Sequence, residues 1–203
     1  MADTTTVKSG ITNSPFVGIS NFHVATLLTD PDGGTATYDA SIHIPQVREI
    51  NVSPSSNTAD LYADNQAVAT ATSTSKYELT IGTATLPLEY KALLLGHAYD
   101  AGKITVKSTV TAPYFMVAFE STKANGKKRF VRFAKVKFSE PKEDSKTKEE
   151  NISFNTPQLT ATAIYRASDA VCLEQADEEA DGYVATTGTN WYTTTSTAST
   201  PGS

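Results

Sequence analysis

The residues able to do chemistry are few and scattered. His23, His43 and His97 have no second His or Cys at metal-ligand spacing, so they read as ordinary strand or surface histidines, and no metal site is expected. Cys172 is the single cysteine and sits between Val171 and Leu173. It reads as a small packed side chain, because no cysteine–histidine motif lies nearby and one thiol cannot form an internal bridge. The run Asp177-Glu178-Glu179-Ala180-Asp181-Gly182 matches the opening of a calcium loop, but Gly188 stands at the twelfth position where a Glu ligand belongs. There is no Gly-x-Ser-x-Gly, no phosphate loop and no dinucleotide fingerprint. No catalytic centre and no cofactor are expected, and an enzyme would need a cleft of titratable groups that this pattern lacks.

What the sequence does carry is segregated charge. Lys123, Lys127, Lys128, Arg129, Arg132, Lys135 and Lys137 form a basic stretch without an acid, so a net charge of −5 leaves −12 on everything else. Asp169, Glu174, Asp177, Glu178, Glu179 and Asp181 form an acidic stretch without a base. Two readings fit: separate solvated surfaces, or complementary patches on neighbouring copies of the chain. The basic stretch, with Phe130 and Phe133 interleaved, also fits a nucleic-acid surface.

The elements carrying these residues read mainly as strands. Period-two alternation marks Lys76–Ile81, Lys103–Lys107 and Asn151–Thr156, with less regular candidates at Phe22–Leu28 and Ile42–Val52. Asn125-Gly126 between apolar runs predicts a type I′ hairpin. That turn pairs Tyr114 with Lys137, Phe115 with Val136, Met116 with Lys135, Val117 with Ala134, Ala118 with Phe133 and Phe119 with Arg132. One face is then nearly all apolar; the other mixes apolar and basic residues, as a face covered by a partner would. One helix is predicted between Leu86 and Gly96, with Pro87 at its first position and Leu88, Ala92 and Leu95 turned inward. Asn51–Gln66 and Glu140–Glu150 read as long polar loops, and the chain from Ala185 as a flexible Thr- and Ser-rich tail with an aromatic pair, Trp191-Tyr192.

The 203 residues, 39% hydrophobic and 19% charged, suffice for one domain with a core that needs no disulfide or metal. The lone cysteine fits a reducing compartment. No apolar run reaches the ~18 residues of a membrane helix and the start lacks a signal-peptide pattern, so no membrane association is expected.

Several stretches together resemble the major tail protein family, the tail tube proteins, of long-tailed bacteriophages of Gram-positive hosts. They are Asn51 to Asp64 (NVSPSSNTADLYAD), Leu86 to Glu89 with Leu95-Gly96-His97, Ala112 to Tyr114, Lys137 to Pro141 with Lys146 to Lys148, and Phe154 to Pro157 with Leu159 to Thr162. The resemblance runs from about residue 15 to about 166; the acidic run and Thr-rich end beyond 170 match nothing in it. It implies a mainly β fold, a β-sandwich or partial barrel with one flanking α-helix and long loops. It implies a structural virion protein whose copies close into six-fold rings and stack into the tail tube, assembled in the host cytoplasm. Its partners would be itself, a tape measure protein and terminator or baseplate proteins, with DNA as transient cargo. The expected division is an N-terminal arm over 1–15, the β domain over 16–175 and a C-terminal extension over 176–203. Expected assembly residues are Lys123, Lys127, Lys128 and Arg129 against Asp177, Glu178 and Glu179, with Glu140, Glu143 and Asp144 in the charged loop. The alternative is a monomeric β-sandwich module binding carbohydrate or another surface, with Tyr62, Tyr99, Trp191 and Tyr192 as stacking residues.

Overall fold

Thr, Val, Ile and aromatic side chains dominate the long alternating segments, and these become strands because branched and aromatic residues pack well on a pleated surface. The computed structural model describes residues 13–63, 66–142 and 156–193, with only the backbone of 57–63, 66–72 and 142. In chain order the strands are β1 (Phe16–Thr29), β2 (Thr37–Tyr38), β3 (Ile42–His43), β4 (Val47–Ala63) and β5 (Gln66–Thr83). After helix α1 (Leu88–Leu95) come β6 (Ala98–Asp100), β7 (Lys103–Thr105), β8 (Tyr114–Lys123), β9 (Lys128–Lys142), β10 (Gln158–Ala163) and β11 (Leu173–Asp177), then the short helix α2 (Ala185–Thr189).

The main sheet runs β2-β1-β8-β9-β10-β5-β4, with every neighbouring pair antiparallel. β9 is long enough to serve three partners: β8 along one edge, and on the other β11 near the turn and β10 beyond it. The sheet bends until Phe22 and Val24 of β1, Phe115 and Val117 of β8, Phe133 and Val136 of β9, Leu159 of β10 and Leu79 and Ile81 of β5 share one core, which Leu94 and Leu95 of α1 complete. The fold is the expected mainly β sandwich with a flanking helix, and it does not close into a barrel. β6 and β7 form a separate small hairpin.

Several sequence expectations are corrected in detail. The turn between β8 and β9 has three residues, closed by Gly126 N–H to Lys123 O (2.9 Å) and Lys123 N–H to Lys127 O (2.8 Å). Only Gly126 has a positive φ there, 81°, so the turn is the three-residue type with a glycine bulge instead of type I′. The extra residue shifts the register near the turn: Val117 faces Phe133, Ala118 faces Arg132 and Phe119 faces Val131. An irregularity between Phe115 and Val117 then restores the expected Phe115–Val136 and Tyr114–Lys137 pairs. The shift turns Val131 and Phe133 to the main core and Arg132 to the opposite face.

Helix α1 begins one residue later than expected, with Pro87 as N-cap, and Leu88 points outward while Ala92, Leu94 and Leu95 are buried. Asn51–Gln66 is no loop: Asn51–Ala63 belongs to β4, paired with β5 out to Ala63 and Gln66. Its polarity comes from Ser, Thr and Asn on a two-stranded ribbon, where period-two alternation has no core to face. Pro54 fits because β4 ends the sheet, so its outer edge has no ladder to lose. The strand expected at Asn151–Thr156 falls, for 151–155, outside the described residues, as does 143–150 of the charged loop.

Candidate functional site

Lys123 closes β8 and would be expected at the surface, yet its side chain is fully buried. Three acceptors take its three ammonium protons: Asn13 Oδ1, Asp177 Oδ1 and, at 2.6 Å, Glu179 Oε2. The cage forms because β11 pairs with the start of β9, setting Asp177 opposite Arg129 and Glu174 opposite Arg132. Arg129 Nε then donates to Asp177 Oδ2 (2.8 Å), Arg132 Nε to Glu174 Oε2 (2.8 Å) and the Lys128 N–H to Glu178 Oε2 (2.7 Å). Glu179 also accepts from the Ser14 N–H (3.2 Å) and from Asn125 in the turn, so one carboxylate ties the chain before β1 to the hairpin.

The complementarity expected between copies is therefore satisfied inside one subunit. Lys123, Lys128, Arg129, Asp177, Glu178 and Glu179 meet there, while Lys127 is exposed at the turn. Glu140 lies apart, near the end of β9, where it pairs with His97 Nε2. Glu143 and Asp144 lie outside the described residues. His97 was not singled out for this role, and no local motif marks it, since its partner is 43 positions away.

Burial alone would lower the Lys123 pKa, but the bonds to Asp177 and Glu179 outweigh it and the net shift is upward. For Asp177 burial would raise the value; Lys123, the Glu179 N–H and Arg129 overcome it and hold the carboxyl at about 2. A carboxylate depressed in the folded state contributes stability above its unfolded pKa, near 3.8, and loses it as pH falls through about 2. We expect unfolding free energy to fall by about 2 kcal/mol from this group between pH 5 and 2, at 1.36 kcal/mol per unit. Urea titrations at pH 7, 4 and 2 check this; Asp177→Asn should flatten the acid limb, and an unchanged limb refutes the assignment.

The second face of β8 and β9 is also covered by the chain itself. Ala25, Met116, Ala118 and Phe130 form a second apolar cluster capped by Trp191, Tyr183 and Tyr192. Trp191 is 6% exposed, its Nε1–H donates to Val131 O (3.2 Å), and the Arg132 guanidinium lies 4.9 Å from its ring centre. Tyr183 stacks parallel to Phe130 at 6.4 Å. Gly188 in α2 allows the fit, because a Cβ there would come within 2.5 Å of Tyr183 Oη and 2.7 Å of Phe130 Cζ. The aromatic pair of the expected flexible tail is thus docked, and the face read as awaiting a partner is filled from within.

Glu120, also buried, is the polar anchor of this layer. It accepts from Ser20 Oγ (2.9 Å), Asn21 Nδ2 (2.9 Å) and Tyr192 Oη (3.2 Å) and pairs with Lys128 Nζ (2.8 Å). Burial would raise its pKa, but Lys128, Ser20 and Asn21 bring it below the usual value. The stacking platform of a carbohydrate module is not assembled: Trp191 is buried, Tyr192 is bonded to Glu120 and Tyr99 donates to Glu89 (3.0 Å). The Tyr62 side chain lies outside the described residues.

What stays open among the described residues is backbone. No described strand lies on the outer side of β4, and β5 meets β10 from Tyr77 to Gly82. Beyond that the β4–β5 ladder pairs only with itself, from Ser55–Lys76 to Ala63–Gln66, a ribbon projecting roughly 30 Å at about 3.3 Å per residue. Where β4 begins it approaches β1 without forming a ladder, and a cleft of about 310 Å³ lies between Ile19–Phe22 and His43–Ile50. Among the described residues no group of three or more His, Cys, Asp or Glu is placed to hold a metal, and no helix is long and apolar enough to cross a membrane. A family model described as phage tail tube protein matches residues 46–195, most of the chain and all of it from the start of β4 to the docked C-terminal segment. No curated protein matches the sequence.

Proposed function

The chain belongs to the phage tail tube protein family, a structural component of the virion tail, and from that premise we propose that its copies close into six-fold rings that stack into the channel for the genome. The unpaired edge of β4 with its projecting ribbon carries the reading. β4 is 17 residues long and no described strand pairs with its outer edge, which makes it a template for another strand; an isolated two-stranded ribbon is marginal in water, so both gain from a neighbouring copy. Ring contacts are heterologous, one patch against a different patch on the next copy. The β4 edge serves within the ring; the ribbon, with Glu140, Glu143 and Asp144 of the charged loop, reaches the next ring. Lys127, exposed at the turn, faces a neighbouring copy.

A conducting tube must not grip DNA, because neutralising several phosphates holds a duplex tightly at low salt. The lumen is accordingly lined by acidic and hydroxyl side chains, with the genome only in transit. The tape measure protein occupies the channel during assembly in the host cytoplasm, and terminator and baseplate proteins close its ends.

The test is electron microscopy and sedimentation of the purified protein across protein and salt concentrations. Rings or tubes are expected; a uniform 21.7 kDa species under all conditions overturns the proposal. Excising residues 57–72 and joining the strands by a two-residue Gly turn should leave the melting temperature nearly unchanged and abolish tubes. Tubes of normal length from that variant would remove the ribbon from stacking.

A further inference from the structure

The outer edge of β1 is guarded unevenly. Phe22, Val24 and Ala25 are buried core residues, and the chain from Thr37 to Ile44 covers their free backbone edge. That cover is tied down at few points. Tyr38 Oη donates to Ala134 O (2.8 Å), and Ile44 is buried and donates its N–H to Phe22 O (2.9 Å). Between these anchors nearly everything is exposed, and β3 is two residues long. What it lays against β1 is His43, directly opposite His23 in the ladder, with the ring centres 5.0 Å apart.

Among the described residues, the polar and titratable groups facing His23 come from three elements packed around it. From the β3 side come His43 and Ser41, whose Oγ lies 3.0 Å from His23 Nδ1. From the C-terminal segment comes Tyr192, its ring 4.4 Å away. From β8 comes Glu120, whose charge is already countered by Lys128 of β9 and whose oxygens are occupied by Ser20, Asn21 and Tyr192.

We infer that His23 and His43 form a pH-sensitive catch that holds β3 over the edge of β1 at neutral pH and releases it on acidification. Two cations at this spacing repel, and the Glu120 carboxylate has little left to offset them. Tyr192 is on the opposite footing, since a charged imidazole is attracted to an aromatic face. The C-terminal segment therefore stays docked while β3 leaves. Burial and the His43 charge both hold His23 below its ordinary pKa, with Glu120 pulling the other way. A histidine so depressed in the folded state costs stability as pH falls below its unfolded value near 6.5, which is the required sign. The bared edge would be Phe22–Thr26, an apolar strand open to addition by a second copy.

Amide exchange of the dilute, unassembled protein tests this, expressed as protection factors at pH 7.5 and 5.5. The reporters are the Ile44 N–H bonded to Phe22 O and the Asp39 N–H bonded to Thr26 O. Their protection should fall at least tenfold at pH 5.5 while Phe119 and Val131 in the β8–β9 ladder keep theirs. In His43→Gln and in His23→Gln the loss should be abolished, which separates this pair from the remaining histidine, His97. Unchanged protection in the parent protein at pH 5.5, or an equal loss in both variants, overturns the inference.

Discussion

Replacing Lys123 by Met should lower the stability of the subunit by about 3 kcal/mol, the lower part of the range for removing one partner of a buried ion pair. At roughly 2–4 °C per kcal/mol for a domain of this size, the melting temperature should drop by roughly 10 °C. The methionine fills the volume, so the loss isolates what the ammonium does: without it Asp177 and Glu179 face each other with Arg129 as the remaining close cation. Adding Asp177→Asn and Glu179→Gln to Lys123→Met should recover part of the loss, because three neutral groups repel less than two uncompensated carboxylates. Chemical denaturation of the parent protein and the two variants checks this. A loss below ~0.5 kcal/mol for Lys123→Met would mean that water screens the cage as it does surface pairs.

The same geometry changes what charge reversal would report. Reversing Lys127, Lys128 and Arg129 strips Asp177 and Glu120 of partners inside the subunit, so impaired folding should precede any effect on assembly. The acidic and basic stretches were both legible in composition, and so was their attraction. That they meet within one chain was not, because β11 is five residues, Leu-Glu-Gln-Ala-Asp, without apolar alternation. Backbone pairing to an already formed β9 makes it a strand, and that information lies some 45 residues away in the chain.

Elsewhere legibility followed whether a segment faces a core. Tyr77, Leu79 and Ile81 alternate because one side of β5 packs inward, and that strand was read from period two. The ribbon that β5 forms with β4 before Tyr77 has no core, and its β4 side, within the polar run Asn51–Gln66, read as loop. The β8–β9 hairpin was found from Asn125-Gly126, but a dipeptide does not distinguish a two-residue from a three-residue turn. That single residue decides which face Arg132 takes. Beside the seam between β1 and β4, Asn21 and Gln46 adopt positive φ, 51° and 65°; asparagine enters that region more readily than most residues, but glutamine gives no such signal.

The C-terminal segment gives the second large effect. Trp191→Ala should cost about 3–5 kcal/mol, the usual range for deleting a buried large aromatic, and should expose Met116, Ala118 and Phe130 to dye binding and aggregation. Gly188→Ala is the sharper test, because two effects oppose each other. In a free helix alanine is favoured over glycine by roughly 1 kcal/mol. Here the added methyl would lie 2.7 Å from Phe130 Cζ, a ring already 4% exposed and held between Tyr183 and Trp191. Overpacking of that kind typically costs about 1–3 kcal/mol, so the net change should be destabilising. A chain stopped after Asp181 should behave like Trp191→Ala or worse, which would make the segment through Tyr192 part of the folded domain although its Thr-rich composition reads as an appendage. If Gly188→Ala instead raises the melting temperature and the truncated chain folds with unchanged stability, the segment is a loosely held cover and the second face of the sheet is open to other partners.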